Sequence, residues 1–237
     1  MIKRFILILA MFFTSQANAE VSFSGNIGFM SDYVFRGVHQ SSSAAMGGVD
    51  IEMGGFYAGI WGADLQNGKG WASGSHQGIE YDIYAGYGMD LTDSLSGYVG
   101  YTAYRYSDKG SDAFDDDYDE VNIGISYALT DDLSLAIDYA NGENEATDHT
   151  KKDYDVGTIS LDYLGFYVLV GEWGISEDDA SKSETDAGWW ELGYTRTVGD
   201  FDLGGSMIMS EKELASGSDS GEDGDFTRIV FTIGYAF

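Results

Sequence analysis

Eight acidic side chains recur at alternate positions inside otherwise apolar segments: Asp50, Glu52, Glu80, Asp82, Glu120, Asp138, Glu191 and Asp202. Spacing of period two puts such carboxylates on one face of a strand and their aliphatic and aromatic neighbours on the other. Brought together from several strands, they can bind cations, pair with arginine or take up a proton, and jointly they set a negative potential. Arg36 and Arg228 are the clearer cations of the same face. Asp32 and Arg36 share the parity of Ser24 and Asn26, which places both at the outer end of the first strand. Tyr84 is a large side chain on this face and is expected to fill much of the space it encloses.

Other chemistries find less support. Nucleophilic catalysis needs a base with an orienting partner on a rigid support. His39, His76 and His149 all fall in long polar segments, and although His39 lies near Ser41, Ser42 and Ser43, no such partner is visible. No catalytic set is assigned. With no Cys and only loop-borne His, a transition-metal site is unsupported. The acidic runs Asp115-Asp116-Asp117, Glu177-Asp178-Asp179 and Glu222-Asp223-Gly224-Asp225 lack the alternating acids and closing Glu of a calcium loop, and read as solvated loops. No metal or cofactor is expected.

The elements that must carry the carboxylates are strands. In the segment 229–237, Ile229, Phe231, Ile233, Tyr235 and Phe237 share one face, with Arg228, Thr232, Gly234 and Ala236 on the other. The same alternation sets Val21, Phe23, Ile27 and Phe29 against Ser22, Ser24 and Asn26, and Val121, Ile123 and Ile125 against Glu120 and Asn122. Segments 56–65, 95–106, 154–163 and 166–173 are strand-like, with faces that the pattern leaves unassigned. Short connections at 54–55, 90–94, 130–132, 164–165 and 199–200 alternate with long polar ones near 37–45, 66–77, 107–118, 141–153, 175–186 and 211–225. Five short and six long connections predict about twelve antiparallel strands with both termini at the short-turn end, an all-β, up-and-down transmembrane barrel.

Closure follows from the solvent, because hydrocarbon offers nothing to an unpaired strand edge and only a closed sheet satisfies every N–H and C=O. A soluble acidic β-sandwich also alternates, but it does not require long and short connections to take turns. No 18-residue apolar stretch follows residue 19, so a membrane-spanning helix is not expected. The absence of Pro suits a ladder that needs nearly every N–H. A twelve-stranded barrel has a backbone diameter of roughly 24 Å, which predicts a narrow bore.

Met1-Ile2-Lys3-Arg4, the apolar run 5–13 and Ala17-Asn18-Ala19 have the order of a secretory signal peptide, which divides the chain into a leader at 1–19 and a barrel at 20–237. Beyond the leader, 10 basic and 40 acidic residues leave a net charge of −30. That charge repels nucleic acid and anionic surfaces. It does not signal disorder, since 15% of residues are aromatic and 43% hydrophobic.

Ser31-Asp32-Tyr33-Val34-Phe35-Arg36-Gly37-Val38-His39-Gln40, then Gly47-Gly48-Val49-Asp50 and Gly55-Phe56-Tyr57-Ala58-Gly59-Ile60-Trp61-Gly62, resemble the TorF-type family of outer-membrane porins. Glu80-Tyr81-Asp82-Ile83-Tyr84-Ala85-Gly86-Tyr87 and Tyr98-Val99-Gly100-Tyr101-Thr102-Ala103-Tyr104 are similar to it as well. The resemblance is specific over 25–106 and diffuse beyond. It implies a channel-like protein in the bacterial outer membrane, with lipids, lipopolysaccharide and small polar solutes as partners. The residues themselves leave two functions open: a narrow diffusion channel for neutral, zwitterionic or cationic solutes, and a non-conducting barrel that displays acidic loops. A bore plugged with Arg36 and Arg228 neutralising the acids would favour the second. Oligomeric state has no signature in the sequence.

Overall fold

The computed structural model describes residues 20–65, 78–107, 117–145, 151–177, 185–214 and 225–237. The expected leader, His76, His149 and most of the three acidic runs lie outside them. Among the described residues, twelve strands close into one antiparallel barrel: β1 (Ser22–Met30), β4 (Ala44–Met53), β5 (Phe56–Asp64), β6 (Ile79–Asp90), β7 (Leu95–Tyr106), β8 (Tyr118–Ala128), β9 (Leu133–Glu145), β10 (Lys151–Tyr163), β11 (Phe166–Glu177), β12 (Thr185–Val198), β13 (Phe201–Ser210) and β14 (Phe226–Ala236). Two further strands, β2 (Tyr33–Phe35) and β3 (Val38–Ser41), pair only with each other.

Alternation builds the wall. Ile51, Ile83, Val121, Ile159, Val170 and Phe231 are all exposed on the outside, as a hydrocarbon-facing surface requires. The opposite parity points inward. The seam runs between β1 and β14, where Gly25 N donates to Phe237 O at 2.8 Å and Phe237 N returns a bond to Gly25 O at 3.0 Å. Short connections fall at the predicted places at one end. At 54–55 both glycines have positive φ, 58° and 90°, as a type I′ hairpin demands.

Two boundaries differ from expectation. β9 continues to Glu145 with β10 starting at Lys151, and β11 reaches Glu177 with β12 starting at Thr185, so the predicted connections at 141–153 and 175–186 are too long. The polar character of these strand ends hides them, although Asp153 still pairs with Glu143 and Ser176 in the ladder. The larger difference is at 31–43. The first strand ends at Met30, and the chain folds back into the barrel as the β2–β3 hairpin rather than leaving as a loop at 37–45.

The core of the protein lies inside the barrel, around that hairpin. Tyr33 and Val38 of the hairpin pack in one buried cluster with Tyr104, Tyr118, Tyr154, Trp173, Trp189 and Leu214. Apolar packing thus fills the lumen toward the long-connection end. Carboxylates and half-buried polar residues line it toward the short-turn end.

Candidate functional site in the lumen

The hairpin turns at Arg36 and Gly37, whose φ angles are 49° and 80°. Two positive values match a type I′ turn, in which Asn-Gly is the usual pair. A side chain such as arginine in the left-handed region costs about 1–2 kcal/mol, so the contacts of Arg36 must hold it there.

Those contacts reach around the bore. The Trp173 indole N–H of β11 donates to the Arg36 carbonyl at 2.8 Å, and the Ser210 hydroxyl of β13 donates to the Gly37 carbonyl at 2.7 Å. A Cβ at Gly37 would fall 2.7 Å from the Trp189 Cβ of β12. On the other side Tyr33 donates to Glu80 Oε1 of β6 at 3.0 Å and packs edge-on against Trp61 of β5, with ring centroids 5.8 Å apart. Asp32 lies 3.4 Å from the Arg228 guanidinium of β14 and 3.5 Å from His39 Nε2. His39 is therefore a buried residue of β3 and not an exposed loop histidine. Between hairpin and wall, a cavity of about 20 Å³ lined by Phe35, Val38, Gln40, Glu80, Tyr106, Tyr118 and Trp173 remains. It has room for about one water molecule.

Arg36 itself makes a fork-to-fork pair with Glu120 of β8, Nη1 to Oε2 at 2.6 Å and Nη2 to Oε1 at 2.8 Å. The Glu120 side chain is fully enclosed, whereas 18% of the Arg36 side chain is exposed. Tyr154 donates to Glu120 Oε2 at 3.0 Å, Tyr104 to Oε1 at 3.5 Å, and the Asn122 amide also donates to Oε1. The guanidinium carbon stands 4.8 Å from the Phe35 ring centroid and 5.7 Å from that of Trp173. Removing one partner of a buried pair of this kind costs about 3–5 kcal/mol, because the other charge is left enclosed.

Glu120 is reached by Tyr154 through a construction that the barrel repeats. Glu120, Gly142 and Tyr154 are in register on β8, β9 and β10, and a Cβ at Gly142 would collide with the Tyr154 ring. Without one, the phenol lies flat over the glycine and meets the carboxylate two strands away. Asp50, Gly59 and Tyr84 form the same rung on β4, β5 and β6, and Asp138, Gly124 and Tyr98 on β9, β8 and β7. Tyr84 donates to Asp50, and Tyr98 to Asp138 at 2.8 Å. The expectation that Tyr84 fills the bore is corrected accordingly. Its ring follows the wall, because Gly59 leaves it the space.

Asp32, Arg36, Asp50, Glu52, Glu80, Asp82, Tyr84, Glu120, Asp138, Glu191, Asp202 and Arg228 all face inward, but Asp32 and Arg36 do so from the inserted chain rather than from β1. The structure gathers Glu120 and Arg36, and separately Asp32 and Arg228, in the packed layer with Glu80. Asp50, Asp138, Glu191 and Asp202 lie farther toward the short-turn end. There Glu191 accepts from Tyr167 at 3.4 Å and Asp202 from Thr197 at 2.6 Å. Sequence reading misses Tyr33, Tyr98, Tyr154 and Trp173. A glycine opposite an inward tyrosine is the signal that could have found two of them.

Comparison with known proteins follows the architecture. A family model described as "Bacterial protein of unknown function (Gcw_chp)" matches residues 14–237. No curated protein matches the sequence. Among solved structures, the KdgM porin superposes with a TM-score of 0.51 at 13% identity, covering 90% of this chain and 99% of its own. The KdgM porin in complex with disordered oligogalacturonate gives 0.52 at 12% over 90% and 99%. The NanC porin gives 0.53 at 12% over 91% and 99%. At these identities the likeness establishes a shared barrel fold.

Proposed function

The chain belongs to the Gcw_chp family, bacterial proteins of unknown function, and we propose that it is an outer-membrane, porin-like channel for passive diffusion of small neutral, zwitterionic or cationic solutes. One observation carries the reading: the lumen wall toward the short-turn end presents Asp50, Asp138, Glu191 and Asp202, with no inward base beside them among the described side chains. A negative lining within a low-dielectric wall concentrates cations and rejects anions. The apolar outer face and the alternating connections suit an outer membrane, with the short turns periplasmic. The resemblance to TorF-type porins points the same way. A polyanion such as the oligogalacturonate bound to the KdgM porin is not a solute that this lining would admit.

A second reading has its own observation. The inserted segment from Asp32 to Ser41 meets β5, β6, β8 and β11 to β14, and Arg36 and Arg228 each pair with an acid in that layer, which is the plugged arrangement expected of a barrel that does not conduct and serves through its acidic outer loops. Planar-bilayer recording of the purified protein under a KCl gradient separates the two. Discrete steps with a reversal potential of cationic sign support the channel, anion preference defeats the electrostatic argument, and silence hands the case to the non-conducting barrel.

A further inference from the structure

Glu120 is surrounded by more recognition chemistry than a simple latch requires. Its two oxygens face a planar fork of donors, Tyr154, Tyr104 and Asn122 hold them in orientation, and the Trp173 ring of the wall lies near the charge. A bidentate carboxylate with an aromatic ring beside it suits a guanidinium and not an ammonium, which is a compact point charge without a fork or a plane. We propose that the Glu120 cage is a binding site for small guanidinium-bearing solutes, and that Arg36 occupies it as the chain's own counterpart of such a solute. This rests on the reading of the lumen as a solute path and names a ligand class for it.

Three features support displacement. The occupant sits on a hairpin that pairs with no barrel strand, so it can withdraw without breaking the ladder of the wall. Its turn holds arginine at a φ of 49°, a conformation relieved once the side chain lets go. The Arg36 side chain is partly open to water while that of Glu120 is enclosed, so a solute approaches from the side of the occupant. A tethered group competes at an effective concentration of at least millimolar order, and the bonds of the hairpin to Trp173, Ser210 and Glu80 add to its hold, so a free guanidinium must exceed that level to take its place.

Methylguanidinium is the probe and methylammonium the control. In purified Arg36→Ala protein, calorimetric titration should detect methylguanidinium bound at least tenfold more tightly than methylammonium, and Arg36→Ala combined with Glu120→Gln should lose that preference. The wild-type protein supplies an independent reading: tens of millimolar methylguanidinium should accelerate thermolysin cleavage before Val38 in the hairpin severalfold over the same concentration of methylammonium. Equal binding of the two cations, or a preference that survives Glu120→Gln, overturns the assignment, as does wild-type cleavage indifferent to methylguanidinium should the alanine variant not fold. Binding is read without current. A protein that prefers methylguanidinium but never conducts keeps this site and loses the channel.

Discussion

Tyr98 and Asp138 belong to strands separated by a third, and the phenol still donates to the carboxylate at 2.8 Å, because the residue between them in register is Gly124. Two strand spacings amount to about 10 Å, which a tyrosine bridges only by lying flat on the wall. The rungs Tyr84–Gly59–Asp50 and Tyr154–Gly142–Glu120 repeat the arrangement. Each supplies one donor to an inward carboxylate from the wall itself and holds an aromatic face against the bore.

Gly142→Ala should therefore act through Tyr154. The added methyl displaces the ring, Glu120 loses a donor, and the hairpin loses about 1–3 kcal/mol of docking. Tryptic cleavage after Arg36 should rise at least fivefold while the heat-modifiable, folded barrel persists. Protection equal to that of the wild type would show that the ring does not need the gap.

Trp173→Phe keeps a ring beside the guanidinium but removes the N–H that donates to the Arg36 carbonyl. A loss of about 1 kcal/mol corresponds to roughly a fivefold change in the undocked population. The same cleavage assay, at protease concentrations where reclosing is faster than cutting, should report that ratio.

Deleting residues 229–237 removes most of β14 and leaves β1 and β13 with unpaired edges in hydrocarbon. Heat-modifiable, membrane-inserted protein should then be absent. Normal insertion of the truncated chain would contradict closure between β1 and β14.

Neutralising Asp50, Glu52, Asp138 and Glu191 together, with Asn or Gln at each, should abolish most cation selectivity and leave the hairpin docked, since none of the four is a partner of Arg36. Selectivity of the wild-type channel should also decline as salt rises from 0.1 to about 1 M, because the screening length falls from about 10 to about 3 Å. Reversal potentials at matched gradients measure both. Glu80 is left out of the set, because it accepts from Tyr33 and supports the hairpin.

The barrel is legible in the sequence because hydrocarbon imposes its pattern on whole crossings, as where Val121, Ile123 and Ile125 alternate with Glu120, Asn122 and Ser126 along β8. The inserted hairpin is not legible, since Tyr33, Val34 and Phe35 continue the extended character of β1 and read as its prolongation. Only Arg36-Gly37 between Phe35 and Val38 marks a turn there, and it lacks the Asn that usually announces one. The unassigned faces at 95–106, 154–163 and 166–173 have a related cause. Tyr104, Tyr154 and Trp173 face inward to meet the hairpin while Arg105, Asp155 and Glu172 take the outward parity, so the apolar and polar faces exchange at that end and the alternation breaks.

The packed layer around the hairpin has an electrical consequence. A voltage applied across a barrel falls mainly where the contents conduct least, and here that is the aromatic septum rather than the carboxylate-lined part of the lumen. Arg36 sits inside this septum on a segment that pairs with no wall strand, while its partner Glu120 is fixed to β8. The field therefore pulls on Arg36 in one direction, while Glu120 on the wall and Asp32, held by Arg228 at the base of the inserted segment, feel the opposite pull. A unit charge carried through the whole drop exchanges about 2.3 kcal/mol per 100 mV, so any displacement of Arg36 along the barrel axis would be biased by the polarity of the applied potential.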